Sequence, residues 1–389
     1  AFQQLSWFLE DFDKQEKLVV FFDELPWLAT RRSKFLAAFS HFWNTWAEQR
    51  NILVIICGSA ASWMINKVVR NKGGLHNRIT KRIELEPFTL RETGLYLEAI
   101  GFAPNHYAFL EIYLVMGGIP HYLKELSPAE SVVQNIDRIC FDRQGLLHDE
   151  FNRLYPSLFE HADHHIDIVR LLASRTYGLE RSEIVKLTGK PDGGRITRIL
   201  EELEFSGFLQ SFGPFGKKKK GKRYRLIDEY SCFYLRFIEP NHQQGTGNWM
   251  VQSTSPAYRA WSGYAFENVG IRHFQEIKQA LGITSVATNI SSFYHQPRTG
   301  NPGLQIDLVI SRADRSINLC EFKFSNKKVA IAPSEAARYL ERLQRFRELT
   351  DTPYVLFNTL ITTFGVSGSA AGGGAIAQVI TLEHLFAAR

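Results

Sequence analysis

The chain has 389 residues, 44% of them apolar, with a formal net charge of +6 and a pI near 9.0. That apolar share excludes a disordered chain, the length fits two or three domains, and the mild positive charge permits a nucleic-acid partner without requiring one. Four scattered cysteines, Cys57, Cys140, Cys232 and Cys320, lack C-x-x-C spacing, which argues against a disulfide framework or a cysteine zinc site and for a reducing, cytoplasmic setting.

The chain opens on an amphipathic, helix-like run, FQQLSWFLEDF, without the basic segment or small-residue cleavage site of a secretory signal. Next, LVVFFDELPWL reads as a buried strand that ends at Asp23 and Glu24. In RRSKFLAAFSHFWNTWAEQ, Phe35, Phe39, Phe42 and Trp46 recur at helical spacing, and NILVIICGSAASWM is a second apolar strand ending at Gly58 and Ser59. Strand, helix, strand with fully apolar strands predicts a parallel βαβ unit buried on both faces, with Asp23, Glu24 and Ser59 at the carboxyl edge where such sheets bind ligands. There an Asp would hold a magnesium shell, the Glu beside it would orient or deprotonate an attacking water, and a polar group on the neighbouring strand would sense a γ-phosphate. An acidic turn closing an ordinary βαβ core is the plainer reading. The phosphate loop of an ATP site, G-x-x-x-x-G-K-[ST], does not occur: TGKPDGG and GKKKKGK have the wrong spacing and lack the Ser or Thr.

FFDELPWL, ILVIICGSAASWM, LHNRITKRIELEPFTLRE and YLVMGGIPHYL, in this order and spacing, resemble the archaeal-type ATPase family of the AAA+/STAND group. The resemblance runs from about residue 16 to the C-terminus. It implies a P-loop ATPase core at 1–87, a helical lid at 88–150, a winged helix at 151–240 and a nuclease-like domain at 241–389. By resemblance, Asp23 and Glu24 match the second acidic (Walker B) motif and Ser59 the sensor strand. Arg78 stands where the family has a basic residue before the lid. It is either a finger on a neighbouring nucleotide, which would imply a homo-oligomer through the ATPase domain, or a surface arginine beside Arg82. The family's phosphate loop would lie upstream of residue 1. The chain is therefore expected to be a truncated form that binds ATP only with that loop supplied.

From His161 to Asp228 the pattern is helix (Ile168, Leu171, Leu172), helix (RSEIVKLTG), glycine turn, helix (Ile196, Ile199, Leu200, Leu203), then a hairpin from FLQSFGP to KRYRLID with a basic tip. Three helices and a β-wing make a winged helix-turn-helix. The third helix would present Arg195, Thr197 and Arg198 to DNA, and tip lysines between Lys217 and Lys220, Lys218 and Lys219 among them, would meet phosphates. Equally, such modules pack or hinge inside ATPases, and Glu201, Glu202 and Glu204 would repel phosphate. His161, His164 and His165 have no evident fellow ligands, so a surface or capping role is expected. FYLRFIEPNHQQGTGN reads as an element end followed by a polar linker.

Beyond it, YAFENVGIRHFQEIKQALG is one helix with Phe266, Val269, Phe274, Ile277 and Leu281 as its stripe. LQIDLVISRADRSINLCEFKF is a hairpin whose alternation puts Glu321 and Lys323 on one face, with Asp307 beside them on the partner strand. Asp307 and Glu321 would supply oxygen ligands to Mg2+, the Phe322 carbonyl a third, and Glu267 would extend the site. Lys323 would orient a bound water or stabilise developing charge. This arrangement, with the helix APSEAARYLERLQRFREL after it, resembles the PD-(D/E)xK nuclease superfamily, with Ile306 in place of the name-giving proline. The plainer reading of EFK is a solvent-facing ion pair of little weight. Residues 352–382 carry no charge, but the centre GVSGSAAGGGA suits a loop between strands YVLFNTLITT and AIAQVITL better than a membrane span.

The expected whole is an α/β multidomain chain: a partial P-loop parallel sheet with helical lid, a winged helix-turn-helix and a restriction-endonuclease-like domain. It would cleave DNA with Mg2+ under ATP control. The competing expectation is an ATP-switched DNA-binding or signalling protein with a non-cleaving scaffold, and a degraded fragment without activity is a further one.

Overall fold

LVVFF and ILVII pair in parallel as β1 (Leu18–Phe22) and β2 (Ile52–Ile56), in register from Leu18 opposite Ile52 to Phe22 opposite Ile56. Their inward residues Leu18, Val20, Phe22, Ile52, Val54 and Ile56 pack on Leu9, Phe39, Phe42 and Ala47 from the flanking helices Phe2–Glu10 and Phe35–Phe42 and the π turn Trp43–Ala47. Phe2 stands amid four aromatic rings, those of Phe22, Phe35, Phe39 and Phe42, at centroid distances of 5.3–6.0 Å. The expected burial on both faces is corrected. Val19 and Phe21 remain 60% and 56% exposed, and Leu53 and Ile55 are exposed with them. Both strands alternate half-buried with exposed positions because the helices of this core pack on one face.

The computed structural model describes residues 1–12, 17–29, 33–59, 63–69, 75, 78–216, 221–296, 303–367 and 374–387. It divides into two compact units: Ala1–Leu85 with Asn152–Ile166, and Glu86–Phe151 with Asp167–Arg389. In the first unit His165 is buried and stacks on Phe159 at 4.2 Å, which corrects the surface half of its expected surface or capping role. An imidazole offers enough flat apolar area to pack as an aromatic.

The second unit begins with helices Leu90–Ala99, His106–Met116, Pro120–Leu123 and Val132–Ile136. Capping boxes start two of them, Thr89 with Glu92 and Ser131 with Gln134. Helix His106–Met116 buries seven of its eleven residues, Phe109, Leu110 and 112–116. Helices Arg181–Thr188 and Gly194–Phe205 follow, the latter burying Ile196, Ile199, Leu200 and Leu203 as its spacing predicts. Strands β3 (Leu179–Glu180), β4 (Leu209–Pro214) and β5 (Arg223–Leu226) pair antiparallel in the order β4-β5-β3.

The remaining strands are β6 (Thr288–His295), β7 (Leu304–Arg312), β8 (Ser316–Lys323), β9 (Val329–Ala330), β10 (Val355–Thr362), β11 (Val366–Ser367) and β12 (Gln378–Ile380). They give one mixed sheet in the order β12-β10-β8-β7-β6-β4-β5-β3, with β9 and β11 as a separate parallel pair. The predicted β7–β8 hairpin is present, and helix Pro333–Thr350 makes the crossover from β8 to its parallel neighbour β10. Leu304, Ile306, Val309, Ile317, Leu319, Phe346 and Leu356 fill the core between sheet and helix. No helix among the described residues is long and apolar enough to cross a membrane.

Two connections differ from expectation. The helical run Glu229–Asn241 continues into a segment that is anchored rather than a free linker: the carboxylate of Asp137 accepts from the backbone N–H of Gly247 at 2.6 Å and of Trp249 at 3.0 Å, and Trp249 is buried. The single helix expected through 266–281 is two, Pro256–Arg272 and Phe274–Ala280. They break at buried His273, whose Nε2 accepts from the Leu90 N–H at 2.8 Å.

Candidate functional site

In the first unit, β1 ends at Phe22 and the chain stays tied to the β2 extension, with Cys57 N–H donating to Phe22 O and Leu25 N–H to Cys57 O. This brings Asp23, Glu24, Cys57 and Ser59 together. Glu24 sits in the left-handed region (φ 45°, ψ 54°), a conformation that costs a non-glycine residue about 1–2 kcal/mol. Its carboxylate accepts from the Ser59 N–H at 3.2 Å. Asp23 Oδ1 accepts from Glu24 N–H at 3.1 Å and from the Cys57 thiol at 2.8 Å. That hydrogen bond from thiol to carboxylate raises the Cys57 pKa. Gly58 is needed for the close approach of Pro26, whose Cδ lies 2.6 Å from where a Cβ would stand. Two carboxylates at a parallel strand edge suit a solvated cation, since the backbone N–H groups beside them already donate to those carboxylates or to neighbouring carbonyls. Arg78 is ion-paired with Glu48.

On helix Gly194–Phe205, Arg195 and Arg198 are exposed, and Arg198 lies 3.9 Å from Glu202. The Thr197 hydroxyl is instead half-buried and accepts from Arg181 Nε at 3.0 Å. Lys218 and Lys219 lie outside the described residues.

The second unit brings Asp307, Glu321, Lys323 and Glu267 toward one place at the junction of β7, β8 and helix Pro256–Arg272. Gly270 allows this: a Cβ there would stand 2.0 Å from the Phe322 ring, so the helix lies directly on β8. The Phe322 N–H donates to Asp307 Oδ2 at 3.1 Å. Burial first, then the facing carboxylates Glu267 and Glu321, push the Asp307 carboxyl up to about 7. Burial also raises Glu267. Burial lowers the Lys323 ammonium, and its partner is Glu335.

Two arginines enter this cluster. Arg225 of β5, buried, donates to Glu267 at 2.9 Å, and Arg342 of helix Pro333–Thr350 donates to Glu321 at 2.6 Å. Arg342 is fixed by Asn358, whose Oδ1 accepts from its Nε and Nη2 and whose amide donates to Tyr339 O and Ala375 O. Arg342 had a sequence signal, since it shares the 339-342-346 stripe with buried Tyr339 and Phe346. For Arg225, a strand arginine, the partner 42 residues away is invisible to periodicity. Burial, reinforced by the two facing carboxylates, holds the Asp307 carboxyl well above its ordinary range, while Glu267 and Glu321 each carry an arginine partner.

Residues 1–126 match an ATPase domain family found predominantly in Archaea. The chain is similar to the uncharacterized protein MJECL04 of Methanocaldococcus jannaschii, 23% identical over 316 residues, which are 80% of this chain and 68% of that protein. Among solved structures it is similar to the Walker-type ATPase paby2304 of Pyrococcus abyssi, at 18% identity and a TM-score of 0.39. That likeness covers 61% of this chain and 66% of the other, just under two thirds of its length. The family match bears out the ATPase-type resemblance over residues 1–126.

Proposed function

We propose that this chain joins an ATPase-type domain to a Mg2+-dependent nuclease-like domain that hydrolyses DNA phosphodiesters, with ATP controlling the second from the first. The observation that carries the reading is that Glu267, on the helix, and Glu321, on the adjacent strand, face buried Asp307 closely enough to raise its pKa, with Lys323 on the same strand face as Glu321. Asp307 and Glu321 would hold Mg2+, with Glu267 extending the set. Bound there, the ion supplies charge to the phosphate and acidity to a water. Asp307 is held in place by the Phe322 N–H. The lowered pKa of Lys323, set by its burial, suits it to give up a proton to the departing oxygen. Asp23, Glu24 and Ser59 would serve the nucleotide in concert with a phosphate loop that residues 1–389 do not contain. Arg195 and Arg198, exposed on helix Gly194–Phe205, are the described groups best placed for DNA phosphates.

A second reading rests on Arg225 and Arg342. Their guanidinium groups already neutralise Glu267 and Glu321, so the domain also fits a binding scaffold in which arginines stand where a cation would. Incubation of supercoiled DNA with Mg2+ or Mn2+ separates the two. Nicking by the chain that disappears in Glu321→Gln with Lys323→Ala supports the nuclease. Retained DNA binding without nicking in any metal rejects a nuclease that runs without the phosphate loop and favours the scaffold.

A further inference from the structure

His148, Asp149 and His242 form a group that neither the nucleotide edge nor the acidic cluster uses. Their potential ligand atoms all lie within 4.8 Å of one another. His148 and Asp149 belong to the turn after the π turn Asp137–Phe141, and His242 ends the helical run Glu229–Asn241, 93 residues from Asp149. Both segments are in the second unit.

The surroundings hold this group in place. Buried Tyr230 donates its hydroxyl proton to Leu147 O at 2.8 Å and accepts from the Phe151 N–H at 2.9 Å, gripping the backbone on either side of His148 and Asp149. Tyr230 stands on the helical run that leads to His242. Near the end of that run, Glu239 is held by both terminal nitrogens of Arg170, at 2.6 and 2.5 Å. His148 is itself buried, and its Nδ1 lies 3.3 Å from Cys140 O. A carbonyl oxygen only accepts, so Nδ1 carries the proton and Nε2 keeps a free lone pair. A carbonyl on the far nitrogen is the usual orienting partner of a metal-bound histidine. The His242 ring lies 4.0 Å from that of His148, and its Nε2 is 2.9 Å from Asp149 Oδ1.

We propose that His148, Asp149 and His242 bind a transition-metal dication of the zinc type. Two imidazole nitrogens and one carboxylate suit Zn2+ and its neighbours, whereas Mg2+ and Ca2+ take oxygen donors. Three side chains leave a coordination position, and exposed Asp149 opens it to solvent. The ion would pin the turn before helix Glu150–Leu158 to the end of the helical run, in the manner of a cross-link between distant stretches of chain.

The test is calorimetric titration of the full chain with Zn2+ in excess Mg2+, with Co2+ absorption reporting ligand type. The expected result is about one Zn2+ per chain, a rise in Tm on binding and ligand-field bands with Co2+. The Asp149→Ala and His242→Ala variants, both at partly exposed positions, should each weaken binding at least about tenfold. Glu321→Gln, in the acidic cluster, should leave it unchanged. Absence of stoichiometric binding, or equal affinity and equal Tm rise in the doubly substituted chain, would overturn the site and mark any uptake as adventitious. Circular dichroism of each variant guards against misfolding as the cause of loss.

Discussion

At Asp307, burial and the facing Glu267 and Glu321 carboxylates keep a proton on the folded chain up to about pH 7, while an unfolded chain gives it up near 3.8. The stability tied to that proton is thus complete below about pH 3.8 and lost as the pH rises through about 7. Denaturant unfolding of the wild type should show a decline of a few kcal/mol or less across that window, and Asp307→Asn should flatten it. Under the proposed Mg2+ site, the ion should flatten it too, because a cation favours the ionised form. An unchanged slope in Asp307→Asn would assign the pH dependence elsewhere. Asp307, Glu321 and Lys323 were legible because strand alternation assigns faces two residues at a time. Arg225 was not, because a salt bridge between strand and helix depends on how the chain returns, and no local period encodes that.

Among the elements, helix Pro256–Arg272 and strand β8 meet without a spacer at Gly270. Gly270→Ala must displace the Phe322 ring, a small-to-large change that costs about 1–3 kcal/mol. A lowered urea midpoint is expected, partly restored by adding Phe322→Leu. A midpoint equal to wild type would mean the helix is not held against the strand there. Helical spacing predicted the buried stripes of Gly194–Phe205 and of Pro256–Arg272. It missed the break at His273, because that break is set by a hydrogen bond from Leu90, 183 residues earlier. The alternation of β1 and β2 was likewise hidden, since fully apolar strands look the same whether one face or two is covered.

Over the second unit, the strands β3 to β5 and the C-terminal strands share one sheet. β4 pairs in parallel with β6 at Gly213 opposite Ser291 and Pro214 opposite Ser292, and Arg225 reaches from β5 to Glu267. A Gly-Pro pair reads locally as the end of a strand, yet here it forms the joint. Residues 151–240, a separate winged helix by sequence pattern, would therefore leave β4 with an open edge and Arg225 without its carboxylate if produced alone. Such a fragment should melt without a cooperative transition and self-associate. A sharp melt matching that of the full chain would refute the joint.

Sequence by itself determined what is periodic or contiguous: the two apolar strands closing on Asp23-Glu24 and Gly58-Ser59, the three helices and hairpin of the middle, and the Asp307 and Glu321–Lys323 hairpin. These follow from backbone repeats of two and 3.6 residues, which any single stretch reveals. Tertiary structure alone decided what those elements meet: the arginines set into the acidic cluster, the open face of β1 and β2, the anchored connector, and the meeting of His148, Asp149 and His242. Each depends on contacts between residues tens to hundreds of positions apart, where the energy lies in which surfaces are brought together rather than in any local pattern.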